Sequence, residues 1–127
     1  TYISLSNDCT SNLSRIQISD LSTTNIAVGT APYGVAVDET CWVANWASNT
    51  VTRILKSDLS TTTIAAGSNP HGVAVDGTYC WVANYGSNNV TRILKTDLST
   101  TTIAVGTGPQ SLGDMTGYAF DNYSRVP

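Results

Sequence analysis

The sequence predicts an all-β fold built from repeated four-stranded sheets. Three observations carry this expectation. The first is an internal repeat. Val51–Gly67 (VTRILKSDLSTTTIAAG) and Val90–Gly106 (VTRILKTDLSTTTIAVG) differ at only two of seventeen positions, Ser57 against Thr96 and Ala66 against Val105. A weaker copy, LSRIQISDLSTTNIAVG, runs from Leu13 to Gly29. Arg15, Arg53 and Arg92 mark one repeat position, spaced 38 and 39 residues apart. The second is a further block after each copy: APYGVAVDETCWVANWASN from Ala31, NPHGVAVDGTYCWVANYGSN from Asn69, and GPQSLGDMTGYAFDNYS from Gly108, which keeps only the outline. The third is that no window carries a helical period, while Ser and Thr abound, and these residues favour strands and turns over helix interiors.

The elements follow in order. Tyr2 to Leu5, Leu13 to Ile18 and Thr23 to Val28 read as the second, third and fourth strands of a first unit. In the next two units GVAVD (Gly34–Asp38, Gly72–Asp76) is apolar and β-branched enough to be a first strand buried on both faces. CWVAN (Cys41–Asn45, Cys80–Asn84) is the second. VTRIL (Val51–Leu55, Val90–Leu94) is the third, with Val, Arg and Leu on one face and Thr and Ile on the other. TTTIA (Thr61–Ala65, Thr100–Ala104) is the most polar and suits an outer edge. Ala47-Ser48-Asn49 and Gly86-Ser87-Asn88-Asn89 suit hairpin turns, and Asp20, Asp58 and Asp97 suit Asx turns.

A repeat of about 40 residues carrying four strands is the signature of a β-propeller blade. The run VG(T/S)xPxGVAVD…CWVAN(W/Y)xSNxVTRI resembles the YVTN or YncE-type β-propeller repeats, related to NHL and virginiamycin B lyase-like propellers. The resemblance covers nearly the whole chain and is closest in the middle two units. It implies a propeller and leaves the activity open, because the fold hosts many functions.

The expected organisation is a single repeat array: a partial blade at 1–30, full blades at 31–67 and 68–106, and closing strands at 107–127. That is about three blades of four antiparallel strands, whereas closed propellers usually have four to eight. The inner strand missing at the start is present at the end. One expectation is that the C-terminal strands of one chain complete the N-terminal blade of another, giving a six-bladed homodimer. A piece of a longer propeller and an open head-to-tail polymer are the alternatives.

Composition bounds the function. The chain has 127 residues, 41% hydrophobic and 12% charged, with net charge −3. The apolar content excludes a disordered chain. Six Arg and Lys against nine acids give no basic patch for nucleic acid. No apolar run approaches the ~20 residues of a membrane span. The chain begins at Thr, as expected of a mature or trimmed product. Low charge, abundant Thr, Ser and Asn, and the resemblance together suggest an extracellular, periplasmic or cell-surface location.

Candidate residues cluster at repeat positions. His71, the only histidine, follows Pro70 where the chain enters the inner strand, and Tyr33 and Gln110 occupy the same place in neighbouring units. A general base or ligand at a channel mouth is one reading of His71; a polar-tolerant repeat position is the other. Virginiamycin B lyase-like propellers use a histidine with acidic partners, and no His/Glu cluster carries over, since Glu39 is the only glutamate. Trp46 and Tyr85 begin the hairpin loops and are surface candidates for stacking on a sugar, while Trp42 and Trp81 suit the inter-blade core. The three arginines read as a cationic ring for an anion, or as structural residues paired with Asp or covering an apolar face. Asp38 and Asp76 suit turn capping; Asp114 and Asp121 lie in the irregular end. No metal-ligand spacing or cofactor motif occurs. Cys41 and Cys80 suit buried thiols, and Cys9 an intermolecular disulfide. Asn12, Asn89 and Asn122 head glycosylation sequons. The readings that follow are a non-enzymatic scaffold or binding module that self-associates, with carbohydrate or another protein as possible ligand; a lyase-like enzyme using His71; and a subunit of an extracellular filament.

Overall fold

A computed structural model describes residues 2–7 and 9–112. Eleven strands and no helix make up the described residues. They are β1 (Tyr2–Asn7), β2 (Asn12–Gln17), β3 (Thr23–Ala27), β4 (Pro32–Val37), β5 (Thr40–Asn45), β6 (Thr50–Leu55), β7 (Thr61–Ala65), β8 (Pro70–Val75), β9 (Tyr79–Asn84), β10 (Asn89–Leu94) and β11 (Thr100–Ala104). They form three antiparallel sheets ordered β1-β2-β3, β4-β5-β6-β7 and β8-β9-β10-β11. Each sheet is a meander, because every turn joins strands adjacent in sequence. The turns carry the chemistry. Asp20, Asp58 and Asp97 accept from the backbone N–H of Ser22, Ser60 and Ser99 at 2.9 Å each. Ser11, Asn49 and Asn88 take the left-handed conformation that closes the hairpins.

Register identifies the incomplete sheet. Trp42 lies opposite Arg53, Trp81 opposite Arg92, and Ser4 opposite Arg15. So β1 is a second strand, and among the described residues the first sheet has no counterpart of the inner strand that β4 and β8 supply in the others. The sheets stack through these inner strands: β4 packs against β8, β1 against β4, and β5 against β8. Two apolar layers lie between them. Leu13 and Ile26 of the first sheet meet Cys41, Val43 and Ile54 of the second. Trp42, Ala44, Val51 and Ile64 of the second meet Cys80, Val82 and Ile93 of the third. Lys95 of the third sheet donates to the Asp38 carboxylate and the Asp76 carbonyl, tying the two full sheets together at the end of the inner strands.

Burial on β4 departs from expectation. Val35 packs against the first layer, but Val37 is exposed, whereas its counterpart Val75 is half-buried. The reason is positional. β4 covers β8, but within the described residues no inner strand covers β4.

The two end faces show the same effect. Ile26 and Ile64 are 8% and 7% exposed, while Ile103, in the same strand position, is 37% exposed. Leu59 and Leu98 pack against the neighbouring sheet, while Leu21, in the same turn, is 75% exposed. Among the described residues, each end therefore presents, uncovered, the apolar surface that the internal interfaces bury. The expected closing strands at 107–127 are described only to Leu112; Asp114, Asp121 and Asn122 lie outside the described residues.

Candidate functional site

The site lies where the inner strands begin. In both full sheets the register shifts just after the proline: Pro32 pairs with Asn45 but Val35 with Val43, and Pro70 pairs with Asn84 but Val73 with Val82. Two residues, Tyr33-Gly34 or His71-Gly72, thus face one partner residue. Such a bulge re-aims a side chain out of the regular ladder. The glycine permits close stacking, because a Cβ on Gly34 would overlap the His71 carbonyl oxygen, and one on Gly72 the Gln110 carbonyl oxygen. The starts of β4 and β8, and the segment at Gln110 after β11, therefore approach backbone to backbone, which lines up Tyr33, His71 and Gln110.

The hairpin turns bring the other rings to this line. Trp46 N–H donates to the Ala31 carbonyl at 2.9 Å, and Tyr85 N–H to the Asn69 carbonyl at 3.0 Å. The inter-sheet crossing thereby holds each aromatic turn. Asn69 adds a side-chain bond to the Trp46 carbonyl, 3.3 Å, and its N–H donates to Asn49 Oδ1 at 3.0 Å. Asn45 and Asn84, both fully buried, brace the same turns by donating to Thr52 Oγ1 and Thr91 Oγ1 at 2.9 and 2.8 Å. Sequence reasoning did not single these asparagines out, although their repetition at the end of CWVAN was the available signal.

The result is one contiguous aromatic row. Tyr33 and His71 stack with centroids 4.3 Å apart; Trp46 lies edge-on to His71 at 5.8 Å, 6.0 Å from Tyr33 and 5.5 Å from Tyr85. Tyr33 and Tyr85 are exposed and the other two half-buried. Gln110 joins the row through its backbone at Gly72 and is exposed. No hydrogen bond links His71 to a carboxylate among the described residues, and Glu39 stands beyond the far end of β4. The row offers π faces, one imidazole and phenolic hydroxyls, with no paired acid and base. No group of three or more metal-ligating side chains occurs among the described residues.

The remaining candidates take other places. The arginines do not pair with Asp among the described residues. Arg15 stacks over Tyr2 and Arg92 over Tyr79, each at 4.2 Å, and Arg53 donates to Thr62 at 3.3 Å. The aromatic or hydroxyl beside each guanidinium on the same sheet wins over any distant acid. Asp76 accepts from Thr78 and Tyr79 N–H and from Trp81 Nε1 at 2.9 Å. These bonds hold its pKa below the usual range against the opposing effect of desolvation. Burial pushes the Cys41 and Cys80 thiols up to about 11 and about 12, while Cys9 is exposed. The Asn12 and Asn89 carboxamide oxygens accept from Asn7 and Asn84, at 2.6 and 2.9 Å.

Comparison with solved structures decides the architecture. The chain superposes on the Kuenenia stuttgartiensis hydrazine synthase with TM-score 0.80 at 21% identity, over 87% of this chain and 34% of that one. It superposes on a streptogramin B lyase with TM-score 0.76 at 17% identity (87% and 40%), and on AztD of Citrobacter koseri with TM-score 0.74 at 13% identity (87% and 34%). These are β-propeller proteins. The chain is a run of β-propeller blades. It spans between a third and two fifths of the length of these propellers. No protein-family model matches the sequence, and no curated protein does. Its three sheets are blades, the first without an inner strand among the described residues, and the aromatic row lies at the start of the inner strands of the other two.

Proposed function

We propose that this propeller array is a non-enzymatic binding module that binds carbohydrate on its aromatic row and is completed by a second copy of itself. The observation that carries the binding reading is the convergence of Tyr33, Trp46, His71 and Tyr85 from two blades into one partly exposed row. Flat aromatic faces beside hydroxyl and imidazole groups suit the apolar faces and hydroxyls of a sugar. The blade-to-blade packing supports self-association. Leu21 at one end and Ile103 at the other occupy positions that bury each other's counterparts between internal blades. A head-to-tail contact between copies repeats that interface, and two copies give six blades.

The lyase-like alternative gains less support. His71 is stacked on Tyr33, and no carboxylate hydrogen-bonds it among the described residues, so nothing there sets it up as a base. The names of the similar structures span different activities, and shared fold does not choose among them. An extracellular or periplasmic location agrees with one similar structure being the extracellular domain of a one component system, BT4673 from B. thetaiotaomicron. No helix among the described residues is long and apolar enough to cross a membrane.

The test is a glycan array followed by titration of any hit, read by tryptophan fluorescence. Binding is expected, with Trp46→Ala weakening it by about tenfold or more, as loss of a stacking face implies. Absence of any hit, or a hit indifferent to Trp46→Ala and Tyr85→Ala, contradicts the reading. Turnover of a ligand abolished by His71→Ala favours the enzyme instead.

A further inference from the structure

The repeat contains one substitution that changes the shape of an interface. Trp42 and Trp81 occupy equivalent positions, each opposite an arginine on the next strand. Between the second and third blades Trp42 is fully buried and packs in a layer with Cys80 and Ile93, bordered by Val73, Val75 and Leu98. In the first blade the same position, opposite Arg15, is Ser4. The facing residues of the second blade are unchanged in kind: Val35, Val37, Cys41, Ile54 and Leu59 are the counterparts of the five that surround Trp42.

A cavity of about 450 Å³ lies there, and its wall contains Ser4 together with all five of those residues. The first blade closes it with Tyr2, Leu13, Arg15 and Ile26. It is the place of the tryptophan with the indole removed. The size falls within the range of small-molecule sites, about 300–1,000 Å³. An inner strand in the first blade would cover the Val35–Val37 side of this cavity, as β4 covers β8, without supplying a side chain in place of the indole. The inner-strand residue that faces this layer in the second and third blades is alanine, Ala36 or Ala74, opposite Trp42 or Trp81.

Charge specifies the occupant further. Among the described residues the wall carries two cations, Arg15 and Lys56, and no carboxylate. Lys95, the counterpart of Lys56, is paired with Asp38, whereas Lys56 has no ion pair among the described residues. A cationic pair at an otherwise apolar wall favours an anion attached to a flat apolar body.

We propose that this cavity is a binding site for a planar aromatic anion, with the ring in the position of the missing indole and the anionic group held by Lys56 and Arg15. The site is separate from the aromatic row and does not depend on it.

Isothermal titration of the purified protein with indole-3-acetate tests this, with neutral indole in parallel. Indole-3-acetate is expected to bind the wild type. Ser4→Trp rebuilds the native packing of Trp42 in place of the cavity. It is expected to abolish binding without lowering the thermal unfolding temperature. Lys56→Gln is expected to weaken indole-3-acetate by about tenfold, as loss of a charge-assisted hydrogen bond implies, and to leave indole unchanged. No binding by the wild type overturns the proposal, as does undiminished binding by folded Ser4→Trp. Should that variant not fold, equal affinity of Lys56→Gln and wild type for indole-3-acetate is the overturning result.

Discussion

Gly34 and Gly72 set how closely the blades approach. A Cβ at Gly34 would meet the His71 carbonyl oxygen of the next inner strand, and one at Gly72 the Gln110 carbonyl oxygen, backbone atoms that cannot move aside alone. Gly34→Ala is therefore expected to destabilise the fold by about 1–3 kcal/mol, the usual cost of overpacking. Thermal unfolding of the two proteins checks it. The three cysteines differ in the same local way. Cys41 and Cys80 are buried, with their thiols raised by desolvation, and Cys9 is exposed. One fast-reacting thiol per native chain is expected with an aromatic disulfide reagent, and three after denaturation. More than one fast thiol in the native state contradicts the assigned burial. At this scale the sequence was a good guide wherever a residue repeats. Asx turns and buried thiols follow from local chemistry, whereas of the two turn aromatics Tyr85 is exposed and Trp46 half-buried. What it did not reveal is which ring touches which, since the stacking of Tyr33 on His71 depends on bulges that the hydrophobic pattern does not encode.

Among elements, the inner strands carry the links between blades. Asp38 closes one inner strand and pairs with Lys95 of the next blade. Its pKa is lowered, with desolvation opposing and the bonds from Lys95 and Thr40 prevailing. A carboxylate with a depressed folded pKa contributes stability that is complete above its unfolded value, here 3.8, and lost as pH falls through the folded value. Acid unfolding below that pH is thus expected to uncouple the second and third blades. Asp38→Asn is expected to lower stability at neutral pH and to lessen its dependence on pH in that acid range. An unchanged acid limb in urea titrations at several pH values would contradict the role. The strand assignments were legible because period-two patterning repeats with turn residues between. The exposure of Val37 was not legible, because GVAVD is the same in both blades and only its neighbours differ. The cavity beside Ser4 was masked by the weakness of the first copy. It becomes visible once the strand register aligns Ser4 with Trp42.

For the whole molecule, three blades leave two unlike apolar faces. One carries Leu5 and Leu21, the other Ile103 and Val105, all exposed. Burial of equivalent surface holds the internal blades together, and exposed apolar patches of this kind mark interaction sites. Closure by a second copy, as proposed above, would cover both faces. Repetition made the blades countable in the sequence, and a count of about three already implied missing neighbours. The partner was not legible because association depends on both ends of the array at once and not on local pattern. The mass of the protein in solution tests closure by a second copy most directly, by light scattering across a concentration series. A discrete species of two chains of 13.4 kDa each is expected, dissociated by Ile103→Asp or Leu21→Asp. A monomer at every concentration, or a mass that grows without limit into filaments, would contradict it.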